Sequence, residues 1–154
     1  MSLNIVGTQY TLASKALEIF IGGCNANPHC QGCHNPELWS FDTGTPYDEM
    51  RKTVNDKLAS FSHLIDKVWV TGGDPIDQDV DSLIELLDDI KSHKLELWIF
   101  TRHKLEDIPK QVLERCNYIK CGRYLPEKKV ENHYEYGVLL ATSNQHILKR
   151  GVDY

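Results

Sequence analysis

The sequence predicts an α/β fold on an open, mainly parallel sheet, and three observations carry that prediction. Short runs of β-branched and aromatic residues alternate with longer stretches whose apolar residues fall at helical spacing, the pattern of repeated strand–helix–strand units. No internal repeat or low-complexity tract interrupts the alternation. The chain has 154 residues, whereas a closed eight-fold barrel takes about 250, so the sheet must stay open along one side. One domain over residues 1–154 is the expected organisation, and 41% hydrophobic with 25% charged residues is enough apolar material for a core, which argues against disorder.

Leu17-Glu18-Ile19-Phe20-Ile21 reads as the first strand, stopped by Gly22-Gly23 and running straight into a cysteine-rich loop. A turn at Thr43-Gly44-Thr45-Pro46 precedes a helix whose Met50, Val54, Leu58 and Phe61 share one face, and Lys67–Thr71 is the next strand. Val80, Leu83, Ile84, Leu87 and Ile90 mark a second amphipathic helix, followed by a strand over Leu95–Thr101. Leu105, Ile108 and Val112 outline a short third helix, Tyr118–Cys121 a fourth strand, and Tyr136–Ala141 a late one.

In parallel α/β sheets the functional groups collect beyond the carboxyl ends of the strands. Four segments fall there: the loop from Cys24 to Cys33, Gly72-Gly73-Asp74-Pro75, Thr101 and Cys121. The loop places three thiols within ten residues, which suits a soft metal or an iron–sulfur cluster. Five cysteines, an odd and uneven set, do not make a secreted disulfide framework, and a reducing cytoplasm keeps them available as thiolates. No apolar run approaches the roughly 18 residues of a membrane span, and the first residues lack a signal-peptide pattern. A formal charge of −5, with Lys128-Lys129 as its one small basic cluster, argues against nucleic acid as a partner.

Four cysteines would close an iron–sulfur cluster for electron transfer, whereas three leave one iron open to a substrate. Cys116 begins the fourth strand and should point away from the rim, so Cys121 is the rival fourth ligand. The competing reading is a structural zinc knot of Cys24, Cys30 and Cys33 with His29 or Cys121, the mark of a zinc-binding adaptor. His34 adjoins Cys33 and is a poor fourth donor.

Cys30-x-Gly32-Cys33-His34-Asn35-Pro36-Glu37-x-Trp39, the Gly72-Gly73-Asp74-Pro75 turn and Ser143-Asn144-Gln145 resemble the activating proteins of anaerobic (class III) ribonucleotide reductase, small radical S-adenosylmethionine enzymes. The resemblance runs from Leu17 to Ile147, with three motifs in the family's order. It implies a partial radical S-adenosylmethionine-type (β/α) barrel, with Cys24, Cys30 and Cys33 on a [4Fe–4S] cluster and S-adenosylmethionine chelated by the open iron. Reductive cleavage then generates a radical that takes hydrogen from a glycine of the large reductase subunit, with flavodoxin or ferredoxin as the kind of electron donor. His34, Asn35, Gly72, Gly73, Asp74, Thr101 and Asn144 are the positions that the resemblance assigns to cofactor binding. An activase for another glycyl-radical enzyme, or a small-molecule enzyme of the deazapurine synthase kind, would share these features.

Three departures stand out against that family. Asp74 replaces the usual Glu and is one methylene shorter, five residues instead of three separate Cys24 from Cys30, and Thr101-Arg102-His103 stands where relatives carry Thr-Gly-Tyr. Arg102 and His103 read as solvated, and the acidic run from Asp74 to Asp89 as a helix's first turn and wet face. Trp39, Trp69 and Trp98 read as core aromatics, Cys116 and Cys121 as buried structural thiols, and Gln145 as a contact or a brace for the last strand. His63, His93, His133 and His146 have no partner in sequence, so they are assigned to surface or core.

Overall fold

The structure, a computed structural model, describes residues 3–30, 33 and 36–154. In chain order the elements are β1 (Asn4–Thr11), β2 (Ala16–Gly22), β3 (Thr45–Pro46), α1 (Tyr47–Phe61), β4 (Lys67–Gly72), α2 (Val80–Ser92), β5 (Glu96–Phe100), α3 (Lys110–Leu113), β6 (Tyr118–Cys121), β7 (Lys129–Glu135), β8 (Val138–Thr142) and β9 (His146–Lys149). Among the described residues, seven strands form one open sheet in the order β3-β1-β2-β4-β5-β6-β9, and β7-β8 form a separate two-stranded sheet. The four inner strands β2, β4, β5 and β6 are parallel, as the alternating pattern predicts.

Both margins of that sheet are antiparallel, which the pattern did not predict. β1 pairs with β2 and β9 pairs with β6, each in antiparallel register. The predicted late strand over Tyr136–Ala141 is corrected to a hairpin: Tyr136 (φ 50°) and Gly137 (φ 81°) form the turn, and β8 starts at Val138. Two successive residues at positive φ give the turn whose twist matches a two-residue hairpin. The third predicted helix shrinks to one turn, with Leu105 in a 3-10 segment before it.

Strand alternation gives the sheet two different faces. Leu17, Ile19, Ile21, Val68, Val70, Leu97, Ile99 and Ile119 meet Val54, Leu58, Leu83, Leu87, Ile90 and Val112 of the helices in one buried core. Each fully buried aliphatic side chain there is worth about 1.5–3 kcal/mol of transfer free energy. The opposite face carries Trp69, Trp98, Phe100 and Tyr118, packed with Ile147 and with Val138 and Leu140 of the hairpin. Trp98 is thus the core aromatic expected of it.

Local signals fix the helices in place. Asp79 caps α2 by accepting from the Ser82 N–H at 3.0 Å. The Tyr47 hydroxyl donates to Asp89 at 2.5 Å and ties α1 to α2, with Arg51 bridging Glu85 and Asp89 on the wet side. Burial and the Asp89 carboxylate push the Tyr47 phenol far above its ordinary value, so it stays a donor at all physiological pH. No helix among the described residues is long and apolar enough to cross a membrane.

Leu87 is fully buried between α2 and the sheet. Leu87→Ala should cost about 2–5 kcal/mol, read as a lower denaturation midpoint with an unchanged slope in a urea titration.

Candidate functional site

The cysteine loop leaves the carboxyl end of β2 and is clasped at its root. Gly23 N–H donates to Leu38 O at 2.8 Å and Cys24 N–H to Trp39 O at 3.0 Å, so the loop's two ends lie side by side. Cys24, Cys30 and Cys33 are half-buried free thiols that line one cleft of about 880 Å³ on the sheet's aromatic face. Burial pushes the Cys24 thiol up, while the Ala26 N–H and the Arg102 guanidinium favour its thiolate. His34 and Asn35 lie outside the described residues.

The Gly72-Gly73 pair stands next to this root, and its backbone is why no larger residue fits. A Cβ on Gly72, whose φ is +112°, would sit 2.3 Å from Ile21 O, and one on Gly73 would sit 2.2 Å from Gly23 O. The close approach that the pair permits is therefore to the β2 backbone and the loop behind it. Gly73 N–H donates to Ile21 O and Asp74 N–H to Gly23 O, both at 2.8 Å, and Gln78 Nε2 adds a bond to Gly23 O at 3.0 Å. Both glycines still present one side to the cleft.

Asp74 is 2% exposed and its carboxylate is occupied by protein donors. Oδ1 accepts from Thr101 Oγ1 at 2.7 Å and from Ile76 N–H at 3.0 Å, and Oδ2 accepts from Arg102 N–H at 3.1 Å. Being one methylene shorter than Glu, the side chain folds back on its own turn. Desolvation pushes this carboxyl up, against the Thr101 hydroxyl and the two N–H groups that favour its charged form. Thr101, 3% exposed, lines the cleft beside it.

Arg102 and His103 are not the solvated pair that the sequence reading expected. Arg102 Nη2 donates to Asp77 Oδ2 at 2.9 Å and to Asn25 Oδ1 at 2.7 Å, while Asn25 N–H donates to Asp77 Oδ2 at 3.0 Å. His103 Nε2 lies 2.7 Å from Asp77 Oδ1. The acidic run is corrected with them: Asp74 and Asp77 are buried, Asp79 is a cap, and Asp81 and Asp88 remain wet. The guanidinium fills the space among Asp74, Asp77 and His103, so that group is neutralised from within the chain.

Further along the rim, Lys120 and Glu18 line the cleft, and no motif marks either of them. Lys120 Nζ donates to Gly122 O at 3.2 Å, and burial lowers its pKa against the pull of Asp74, Cys30 and Cys121. Glu18 accepts from Thr71 Oγ1 at 2.8 Å. Strand alternation alone could have found them, since Glu18, Thr71, Phe100 and Lys120 share the face opposite the helices. Asn144 does not line the cleft: Nδ2 donates to Arg123 O at 2.8 Å and Oδ1 accepts from Thr142 Oγ1 at 2.7 Å. Gln145 does line it, and also braces β8 through Ala141 and Thr142.

Three other assignments change or gain detail. Trp39 is half-buried on the cleft wall, not in the core, and stacks on His29 with centroids 4.0 Å apart. His29 Nε2 bonds Cys24 O at 2.9 Å, so that nitrogen is committed to the loop's own backbone. Burial pushes the Cys121 thiol up to about 11 and the Cys116 thiol up to about 12, which fits buried structural thiols. Among the described residues no cysteine but Cys24, Cys30 and Cys33 lines the cleft. His133, His146 and His93 do have partners: Glu135 for the first two and Asn55 for the third.

Comparisons with known proteins place the chain in a family. The model of the 4Fe-4S single cluster domain matches residues 14–148. An anaerobic ribonucleoside-triphosphate reductase-activating protein of Haemophilus influenzae is 27% identical over 133 residues, 82% of this chain and 80% of that protein. Its counterpart from Pasteurella multocida is 32% identical over 119 residues, 73% of this chain and 68% of that protein. A pyruvate formate-lyase-activating enzyme of Listeria monocytogenes is 38% identical over 71 residues, which is 44% of this chain and 27% of that enzyme.

Arg102→Ala removes the cation paired with buried Asp77 and unties the Asn25 side chain, and should cost about 3–5 kcal/mol together with iron-binding capacity. Gly73→Ala should leave far-ultraviolet circular dichroism native while lowering the iron and sulfide bound per chain, because its Cβ displaces Gly23 beneath the thiols. Chemical denaturation and iron analysis read the two effects separately.

Proposed function

Since this chain belongs to the 4Fe-4S single cluster domain family and to the anaerobic ribonucleoside-triphosphate reductase-activating proteins, we propose that it is a radical S-adenosylmethionine activase that generates a glycyl radical on the large subunit of anaerobic ribonucleotide reductase. The observation that carries this reading is the set of three free thiols on one cleft, with Cys116 and Cys121 buried away from it. Three thiolates fit a [4Fe–4S] cluster with one iron left for a ligand. The zinc knot is the poorer fit, since neither His29 nor Cys121 lines the cleft with those thiols.

When bound, the cluster and S-adenosylmethionine supply one-electron reductive cleavage and, from it, hydrogen abstraction from the partner's glycine. The chain's own residues hold and orient these groups. Cys24, Cys30 and Cys33 ligate the cluster, and the Arg102 guanidinium beside Cys24 favours the deprotonated thiol that ligation requires. Gly72 and Gly73 offer bare backbone to the nucleotide, and Lys120 offers an ammonium to its carboxylate. Asp74 acts as a positioning residue, holding Thr101 through its hydroxyl and the backbone N–H groups of Ile76 and Arg102. His34 and Asn35, next in sequence after the last ligand, are assigned to cofactor binding, while Asn144 acts from behind by holding Arg123 and leaving Gln145 at the cleft.

We further infer that the open sheet is a partial barrel of the radical S-adenosylmethionine type, and that residues 1–154 form a single such domain. The cleft is open enough that the glycine-bearing segment of a protein substrate can cover it and exclude water. The reading places the chain in the cytoplasm, with flavodoxin or ferredoxin as the class of electron donor. A second reading, an activase for another glycyl-radical enzyme, is favoured by the match to the pyruvate formate-lyase-activating enzyme.

The anaerobically reconstituted protein, given a strong reductant and S-adenosylmethionine, should release methionine and produce a glycyl radical on the anaerobic reductase, seen by electron paramagnetic resonance. A radical on pyruvate formate-lyase and none on the reductase would select the second reading, and no methionine at all would end both. Cys30→Ala should abolish cluster assembly, whereas Cys116→Ala should keep its iron.

A further inference from the structure

Away from the cleft, His133 and Glu135 of β7 and His146 of β9 bring three ligating atoms within 4.8 Å of one another. We propose that these three residues form a binding site for a divalent transition metal of the zinc class, which pins the β7–β8 hairpin to the main sheet. The proposal is independent of the cluster, since none of the three residues lines the cleft.

His133 has an acceptor at each of its two ring nitrogens. Its Nδ1 faces Thr142 O at 3.0 Å, a pure acceptor, so this nitrogen carries the N–H. The other nitrogen, Nε2, then turns its lone pair toward Glu135 Oε2, only 2.6 Å away and also an acceptor. A neutral imidazole has a single N–H, so the 2.6 Å contact calls either for a second proton, giving an imidazolium–carboxylate pair, or for a metal ion taken up between the two lone pairs, and zinc uptake separates the two. His146 Nδ1 lies 3.0 Å from the same Oε2, bringing a second imidazole to the same point.

A ligating imidazole normally donates its far N–H to a backbone carbonyl or carboxylate, and a ligating carboxylate is itself held by a donor. Here the far N–H of His133 meets Thr142 O, and Glu135 Oε1 accepts from Ile147 N–H at 2.8 Å. All three side chains stand on strands, with His133 and Glu135 on one face of β7 by their two-residue spacing. Two imidazoles and a carboxylate are a zinc donor set that leaves a further position for water. Metal bonds of about 2.0–2.1 Å set tetrahedral donors about 3.3 Å apart, so the Glu135 oxygen draws back from the two imidazole nitrogens now 2.6 and 3.0 Å away, and the three atoms, within 4.8 Å of one another, arrange around the ion. His146 is 53% exposed and gives the ion a way in from solvent.

The tie has a structural purpose. The hairpin forms its own two-stranded sheet, and its Val130, Leu139 and Leu140 are part of the cleft wall. A metal bond from β7 to β9 would hold that wall against β6 and the rest of the sheet.

The test uses the cluster-loaded full chain, whose loop thiolates are already occupied, dialysed anaerobically against zinc. One zinc per chain is expected beyond the cluster, with a nitrogen and oxygen shell and no sulfur in zinc-edge X-ray absorption, and with a raised thermal midpoint. His146→Gln, at a half-exposed position, and Glu135→Gln should each weaken zinc binding by at least about tenfold and remove the thermal gain; His133→Gln is the third arm. Should that variant fail to fold, the His146→Gln result stands alone. A sulfur shell, no retained zinc, or stoichiometry that His146→Gln and Glu135→Gln leave unchanged would overturn the proposal.

Discussion

Two buried carboxylates, Asp77 paired with the Arg102 guanidinium and Asp74 bonded to the same residue's backbone N–H, are the constraint on which the cleft depends. Asp77 is the meeting point of Arg102, His103 and the backbone of Asn25, and Asp74 is that of Thr101, Ile76 and Arg102. These bonds join the ends of β4 and β5 to the first residue after Cys24. In a dry setting such a network is costly when incomplete and stiff when complete. The thiol-bearing loop has little regular structure of its own, so its geometry is set from outside, by charges on two neighbouring strand ends.

That dependence explains how the sequence could be read and where the reading stopped. Alternating apolar patterns located the four parallel strands and both long helices, because each buries a face whose period is visible in the chain. The cysteine spacing and the glycine pair were legible for a similar reason, as few other roles demand those residue types together. β1 and β9 were missed because both have mixed faces, β9 at the sheet's edge and β1 beside the two-residue β3, and the Tyr136-Gly137 turn lacks the common Asn-Gly signal. Arg102 and His103 looked solvated because their partners, Asn25 and Asp77, lie 77 and 25 or 26 positions away in the chain. Charges that pair only in the folded state leave no local trace.

The glycines show how a motif can be recognised and its nearest cause still differ. Gly72 and Gly73 are required first by the strand beside them, where a methyl group would meet carbonyl oxygen at 2.2–2.3 Å. The same bareness exposes backbone to the cleft. One residue choice thus serves packing and recognition at once, and the shorter Asp74 completes it by bonding inward instead of reaching out.

The way the main sheet ends has a consequence for the chain outside any complex. An unsatisfied row of peptide groups at a sheet margin invites other chains to add on and grow into aggregates. Here one margin is a two-residue strand containing Pro46, which lacks an N–H to offer, and the other is a four-residue strand ending in a lysine. Beyond the two residues that β3 covers, residues 6–11 of β1 have no strand on their outer side among the described residues, so this stretch is the border open to strand addition, while the β9 border is too short to serve as a template.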